Sequence, residues 1–554
     1  MSRSTTVRGP LQGNAALPGN RSTKTALPSF STADPVTRRR FLAAAGGGAA
    51  GLAFALGPAA DAHAATGKVP SDPFTIGIAS GDPTPDGVLL WTRLAPEPLA
   101  VDSGLDANAK YVVGWEVATD ERFGKIVARG STTATAAENF SVHVEVGGLA
   151  PGRHYWYRFR CGPHLSPVAR TRTAPSPNSA PDLRFGFASC MNYRAGYFQT
   201  MRDAAEQDLE VMLFLGDYLY EYAVQQLPVG RQIPTDLPAE VLPALETLQQ
   251  YRLRYALYKL DPDLQQAHHV MPWIVTWDDH EVSNDYETDD RDDLVRRAAA
   301  YRAYWENMPL RRPQQPKGPD ARIFRRLSWG STAQFDILDT RQYRDPETVQ
   351  SPAPDEGERR DPNRTVLGSE QERWLASSLG ARRVQWNFVG QQILMARLNT
   401  ASAEDQPTVF SPGTWDGYQA SQQRMFDLVA GGLKSKRVRN FCSLGGDVHC
   451  SYVSDLVSNS LDPSSPLIGI DITSPSISSA LDFDPAANER RQIRRRMNES
   501  LHWADLHCGY DICDVTAERA RFDVRVVDKV SQHDSPVFTG ASFTVEDGVP
   551  GFSS

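Results

Sequence analysis

The sequence predicts a layered α/β protein preceded by a β-sandwich. Three observations carry that expectation. From residue 183 onward, short apolar runs alternate with helical stretches, the rhythm of an α/β core. Between residues 70 and 176 the chain offers only short β-rich runs cut by Gly, Pro and Asp turns, as sandwiches do. At 554 residues the chain exceeds one ordinary core, so two domains behind a leader are expected. Hydrophobic content of 40% and charged content of 23% are those of a globular protein.

The leader comes first. "TRRRFLAAAGGGAAGLAFALGPAADAHAA" places Arg38, Arg39 and Arg40 before Phe41-Leu42, then an Ala/Gly-rich apolar stretch, then Ala62-His63-Ala64. This is a basic n-region, an apolar h-region and a small-residue cleavage site. The order matches twin-arginine signals, which pass folded proteins to the twin-arginine export machinery. Five glycines between 46 and 57 make the segment a poor membrane anchor. Residues 1–64 are therefore expected to be removed, leaving a secreted or cell-wall-associated chain. No later stretch approaches the ~18 apolar residues of a spanning helix, so no integral membrane segment is expected after cleavage. Beyond the leader, 51 basic residues face 65 acidic ones, about −14 in balance. Such a surface argues against nucleic acid as a partner and suits a protein that holds cations. The mature chain is expected to act as a monomer. Six cysteines (161, 190, 442, 450, 508 and 513) would ordinarily raise disulfides in an exported protein. Folding in a reducing compartment before export argues against most of them. Cys508 and Cys513, in "HCGYDIC", are the candidate pair.

The first domain, residues 70–176, reads strand by strand as "DGVLLWTRL", "YVVGWEVATD", "KIVARGSTTA", "FSVHVEVGGL" and "HYWYRFRC". "GLAPGRHYWYRF" (148–159) resembles the fibronectin type III pattern, a Leu-x-Pro corner before an alternating aromatic strand. "ARTRTAPSPNSAPD" (169–182) follows as a Pro/Ser linker. This domain shows no cluster of chemical residues and reads as scaffold.

The second domain, residues 182–545, has helical stretches "YFQTMRDAAEQ", "TLQQYRLRYALYK" and "LVRRAAAYRAYWENM". Its strands are "LRFGFAS" (183–189), "VMLFL" (211–215), "WIVTW" (273–277), "AQFDILD" (333–339), "WNFVGQQIL" (386–394) and "NFCSLGG" (440–446). Their carboxyl ends run into Cys190-Met191-Asn192, Gly216-Asp217-Tyr218-Leu219-Tyr220, Asp278-Asp279-His280-Glu281 with Asn284 beyond, Asp339-Thr340-Arg341, and Gly446-Asp447-Val448-His449. Loops at the carboxyl ends of α/β strands are where ligands bind. Singly, each run has a bland reading: a Gly-Asp turn, a packing tyrosine, a buried cysteine. His268 and His269 read as ordinary surface or helix residues. Together, in this order and at strand ends, the side chains read as a metal site. Carboxylates with an imidazole, a phenolate and a thiolate form a mixed hard and soft set. Calcium or magnesium alone uses oxygen ligands, and a structural zinc site shows paired Cys/His spacing. The set favours a strongly Lewis-acidic ion, iron first, with Asp217 available to bridge to a second ion.

"IASGDP" (78–83), "FASCMNY", "LGDYLYEY", "WDDHEVSND", "LDTRQYRD" and "GGDVH" together resemble the PhoD-type alkaline phosphatases. These are calcineurin-like metallophosphoesterases related to purple acid phosphatases. The resemblance spans residues 70–545. It implies an αββα metallophosphoesterase sandwich behind a fibronectin III-like domain. It further implies Fe3+ with Ca2+ or a second iron or other divalent ion, and activity as an alkaline phosphatase and phosphodiesterase on phosphate mono- and diesters. By position, Cys190, Asp217, Tyr220, Asp447 and His449 would surround the iron. Asp279 and Asn284, with Asp278, would serve the second ion. His280 would steady the oxyanion or protonate the leaving oxygen, and Arg341 would contact phosphate. The chain departs from the family at Met191, where members often carry Gln. The implied reaction is in-line attack by a metal-held hydroxide. The rival readings are a phospholipase D-like phosphodiesterase on the same site and a non-catalytic wall-binding protein. Substrate selection is expected from segments 224–243, 345–370 and 410–418, where Trp415 and Tyr418 either line a pocket or pack on the core.

Overall fold

The structure, a computed structural model, describes residues 67–226, 230–286, 291–348, 356–381 and 383–553; the leader read over residues 1–64 lies outside them. The first strands are β1 (Ile78–Thr84), β2 (Gly87–Arg93), β3 (Tyr111–Ala118), β4 (Ile126–Ala134), β5 (Ser141–Val146), β6 (His154–Cys161), β7 (His164–Leu165) and β8 (Ala169–Arg172). They form an antiparallel sandwich, β1-β2-β5 in one layer and β4-β3-β6-β7 in the other, with β8 also on β6. Ile78, Val88, Leu90, Val142 and Val144 meet Val113, Val117, Tyr157 and Phe159 in its core. At the Leu149-Ala150-Pro151 corner the Ala150 N–H donates to the Tyr155 hydroxyl at 2.9 Å, and that hydroxyl donates back to the Ala150 carbonyl at 3.3 Å. This is the clamp of a tyrosine corner.

Two expectations change here. The segment read as a linker from 169 begins as β8, because Ala169 and Thr171 alternate inward and its backbone pairs with β6. The sandwich is also no separate body. β1 pairs in parallel with the strand at Trp273, so the layer β1-β2-β5 continues the main sheet of the α/β core. That explains why "GVLLWT" is apolar on both faces. Val88 and Leu90 face the sandwich, while Trp91 turns to the helical side and donates Nε1–H to the Glu306 carbonyl at 3.1 Å.

The strands that follow are β9 (Leu183–Ala188), β10 (Val211–Phe214), β11 (Trp273–Val275), β12 (Arg325–Trp329), β13 (Ala333–Ile337), β14 (Trp386–Gly390), β15 (Phe441–Gly445), β16 (Ser451–Val457), β17 (Leu467–Thr473), β18 (Leu501–Asp505), β19 (Cys508–Val515), β20 (Arg519–Val527) and β21 (Val537–Glu546). They complete a nine-stranded sheet, β21-β20-β19-β9-β10-β11-β1-β2-β5, and a seven-stranded one, β12-β13-β14-β15-β17-β16-β18. Each has a parallel centre: β9-β10-β11-β1 in the first, β13-β14-β15-β17 in the second. Phe185, Phe187 and Leu213 of one sheet pack on Phe335, Phe388 and Ile472 of the other, with Phe185 edge-on to Phe335 at 5.2 Å.

Helices cover the outer faces. α1 (Gln199–Glu206), α2 (Leu248–Lys259), α3 (Pro262–Val270) and α4 (Arg291–Asn307) lie against the nine-stranded sheet through residues such as Met201, Tyr255, Leu264 and Tyr304. Beyond the short α5 (Glu356–Arg359), α6 (Gly368–Ser378) and α7 (Gln419–Lys434) cover the seven-stranded sheet through Leu375, Met425 and Val429. α8 (Pro485–Met497) buries no side chain and follows an Asp484 cap. α2 starts where the sequence favours it, with Thr247 and Gln250 closing a capping box. The order helix, sheet, sheet, helix is the expected αββα sandwich.

All six cysteines are buried and unpaired. Cys508 and Cys513 stand five residues apart on one strand, β19, so at about 3.4 Å per residue they lie roughly 17 Å apart and no disulfide joins them. Trp415 and Tyr418 take the packing alternative. Both are wholly buried, Trp415 donating to the Gln391 side chain and Tyr418 to the Asp345 carbonyl. His268 is no surface residue: it lies 3% exposed in α3, stacked on Trp273.

Candidate metal centre

The two parallel centres point the same way, and their carboxyl ends are joined by a bridge between Ser189, after β9, and Ser476, after β17. The loops that leave them are stitched together by backbone. Cys190 N–H donates to the Gly216 carbonyl at 3.1 Å and Met191 N–H to the Asp217 carbonyl at 2.8 Å. Gly216 has φ +113°, and a Cβ there would stand 2.7 Å from the Asp278 nitrogen, so only glycine lets the β10 and β11 loops approach this closely. Cys190, Asp217, Asp447 and His449 all have φ between 54° and 67°. Four non-glycine residues in the left-handed region, all in loops at the same end of the two sheets, are backbone that the surrounding fold holds under strain.

The side chains converge. Donor atoms of Cys190, Asp217 and His449 lie within 4.8 Å of one another, as do those of Asp217, Asp279 and His280, and those of Asp278, Asp279 and Asp447. Asp217 and Asp279 each belong to two groups, so the three form one continuous string of donors. Tyr220 joins it: its hydroxyl donates to Asp217 Oδ2 at 3.0 Å and meets His449 Nε2 at 2.8 Å. Ser479 Oγ donates to that hydroxyl at 2.8 Å and is also 2.8 Å from the Cys190 carbonyl.

His280 N–H donates to Asp217 Oδ1, its Nδ1 meets Glu221 Oε2 at 2.7 Å, and its ring lies 4.0 Å from that of Tyr220. Arg341 is 1% exposed and sits beneath the acids. It pairs with Asp278 through Nε, with Asp447 at 2.5 Å, with Asp279 at 3.5 Å and with Asp285 at 3.6 Å. Asn284 is the exception. It is exposed, with its side chain between the Tyr222 hydroxyl and Asp285, and only its backbone N–H reaches inward, to Glu221.

Three carboxylates of these same strand-end runs hold neighbouring groups instead of joining the string of donors. Glu281 accepts the N–H groups of Asp217 (3.0 Å), Tyr218 (2.6 Å) and Asp278 (2.8 Å), pinning the β10 and β11 loops with one side chain. Glu221 holds His280, and Asp339 accepts the N–H groups of Arg341 and Gln342. Glu281 stands inside the acidic run of the sequence, but its role depends on where the neighbouring loop ends.

Electrostatics say what the cluster wants. Burial, then neighbouring carboxylates set against Arg341 or His280, push Asp217, Asp278 and Asp447 up. Burial, then Asp217, push the Cys190 thiol and the Tyr220 phenol far up. Burial also opposes the charge on Asp279, but Arg341 and His280 outweigh it and hold that carboxylate well below its usual range. Burial would discharge His280, yet Asp217, Asp279 and Glu221 hold it protonated. Asp278 Oδ2 and Asp279 Oδ1 are buried and accept no hydrogen bond. Buried anions that repel each other and lack donors are stable only beside cations. Carboxylates, imidazole, phenol and thiol are all ligand atoms, so the residues fit metal ions. None is present.

Comparison with known proteins agrees with the geometry. A family model described as PhoD-like phosphatase matches residues 185–524, and one described as the PhoD-like phosphatase N-terminal domain matches residues 59–175. Alkaline phosphatase D of Bacillus subtilis is 39% identical over 522 residues, covering 92% of this chain and 87% of its own. A solved structure of PhoD superposes with a TM-score of 0.80 at 38% identity, over 88% of this chain and 92% of that one. A purple acid phosphatase from yellow lupin seeds shares the fold at 12% identity, with a TM-score of 0.52 over 85% of this chain and 74% of its own. Family models over both parts of the chain, and a relative alike along nearly its whole length, lead to one conclusion: the chain belongs to the PhoD-like phosphatase family.

Proposed function

We propose that this centre hydrolyses phosphate mono- and diesters, as an exported alkaline phosphatase and phosphodiesterase working as a monomer. The observation that carries the reading is the string of buried donors sharing Asp217 and Asp279. Its soft end, Cys190, Asp217 and His449 with Tyr220 against them, suits Fe3+; its all-carboxylate end, Asp278, Asp279 and Asp447, suits Ca2+ or a second iron, and Asp447 could also serve the iron. Bound there, the ions would supply Lewis acidity and a water acidic enough to attack at ordinary pH. The chain's own residues do the rest. The left-handed loops and Glu281 hold the carboxylates in place before substrate arrives. His280, kept charged and oriented by Glu221, stands ready to stabilise the oxyanion or give a proton to the leaving oxygen. Arg341, ion-paired with Asp278, Asp279 and Asp447, is the cation placed to contact phosphate. Asn284 would have to turn inward from Tyr222 to become a ligand.

Two measurements test this. Concentrated enzyme should be coloured by tyrosinate-to-iron charge transfer. Tyr220→Phe should bleach it with the fold intact, and Cys190→Ala should lower iron content by elemental analysis. A colourless, iron-free and fully active enzyme would refute the iron assignment. Arg341→Ala should lower kcat/KM for an aryl monoester about 100-fold and for an aryl diester less, because a dianion needs the extra cation. Equal losses together with lost metal would show that Arg341 serves only the carboxylates. Turnover of phosphatidylcholine alone, releasing choline, would replace the phosphatase reading with the phospholipase D one.

A further inference from the structure

A cavity of about 710 Å³ opens at the amino ends of β14, β15 and β17, the end of the sheet opposite the metal centre. A five-residue strand at about 3.3 Å per residue puts roughly 17 Å between the two. The cavity floor is Val384, Val438, Phe441, Ile468 and Val545, each 5% exposed or less. Around its mouth stand Arg383, Lys436 and Arg437, exposed and ion-paired with no carboxylate among the described residues. The fourth cation, Arg439, pairs with Asp547, which also takes the Asn440 side chain at 2.7 Å.

The walls are fastened. Asn440 donates to the Gln385 carbonyl at 3.1 Å and accepts from the Gly548 N–H at 2.7 Å, so one side chain ties the three wall segments together. Cations behind a helix ordinarily serve its carboxyl-end dipole, and Lys434 in the last turn of α7 does so. That explanation fails for Arg383, which reaches the same mouth from the segment before β14. On a chain this acidic, three free cations over a fixed apolar floor form a complementary pair of features: a place for a negative head and a place for a hydrocarbon body.

We propose that this cavity binds a soluble anionic amphiphile. Its carboxylate- or phosphate-type head would lie among Arg383, Lys436 and Arg437, and its apolar body on Val438, Phe441 and Ile468. The volume falls in the range of small-molecule sites. Because the floor is recessed rather than protruding, a single molecule reaches it and a flat bilayer surface does not.

The test is calorimetric titration of the full-length mature enzyme with monomeric decanesulfonate, which the phosphatase cannot hydrolyse. Saturable one-to-one binding is expected. It should weaken roughly tenfold or more in Lys436→Glu/Arg437→Glu, which reverses two of the three head cations, and in Leu433→Asp, which charges a half-buried α7 residue lining the cavity. Aryl phosphate hydrolysis should be unchanged in both variants, showing that they fold. Binding that survives both variants overturns the proposal. So does sulfate binding as tightly, which would mean an ion site only, or binding confined to vesicles of phosphatidylglycerol.

Discussion

A carboxylate that accepts N–H groups from two loops fixes both at once, and Glu281 does this for Asp217, Tyr218 and Asp278. Burial raises Glu281 to about 8, the three N–H groups notwithstanding. Glu281→Ala should leave three buried donors unpaired, at about 1–3 kcal/mol each. We expect a lower Tm and loss of bound metal together, read by calorimetry and elemental analysis. Loss of neither would reduce Glu281 to a bystander. At this scale the sequence reveals what its chemistry displays. Cys190, Asp217, Asp279, His280, Asp447 and His449 are ligand types at strand ends, and the structure gathers their donor atoms. Glu281 and Glu221 looked like any other acid in an acidic stretch, because what they bind is another loop's backbone or a neighbouring ring. Asn284 matched by position, yet its side chain faces outward.

Helices and strands were legible where periodicity and length agree. α1, α2 and α4 lie in the helical stretches, and β9, β10, β13, β14 and β15 lie in the apolar runs. "WIVTW" yields only three strand residues; Thr276 N–H still bonds the Phe214 carbonyl at 2.9 Å, and the chain leaves the sheet beyond it toward Asp278. The sharing of β1, β2 and β5 with the main sheet was not legible, since parallel pairing of β1 with β11 is a contact between segments nearly 200 residues apart in sequence. α2 also carries a testable liability at its end. Lys259 is buried with its ammonium 3.2 Å from the Tyr218 hydroxyl and over the Trp91 ring. Burial, then Arg93, lowers it from 10.5 to about 7. Below pH 7 both folded and unfolded chains hold the proton. Between 7 and 10.5 only the unfolded chain does, so this residue makes stability rise with pH through that window. Lys259→Met removes the effect. Its Tm advantage over wild type should be greatest at pH 6 and shrink toward pH 10. A constant difference across that range would assign the pH dependence elsewhere.

The centre's donors come from loops after β9, β10, β11 and β15, so it exists only once both sheets have met. No disulfide is needed to hold it, since all six cysteines are buried and free. Reductant should therefore leave the Tm unchanged. A chain of this kind needs no oxidising environment to be complete. That is the situation the Arg38-Arg39-Arg40 leader would serve, since its export route accepts folded cargo. Replacing the three arginines by lysine should stop export without harming the enzyme. Cell fractionation should then find the leader-bearing protein inside, with metal content and kcat/KM for an aryl phosphate within about twofold of the secreted form. Unchanged secretion of the variant would refute the twin-arginine assignment. Retained protein that is metal-free and inactive would instead show that the centre is filled only after export, whatever the state of the cysteines.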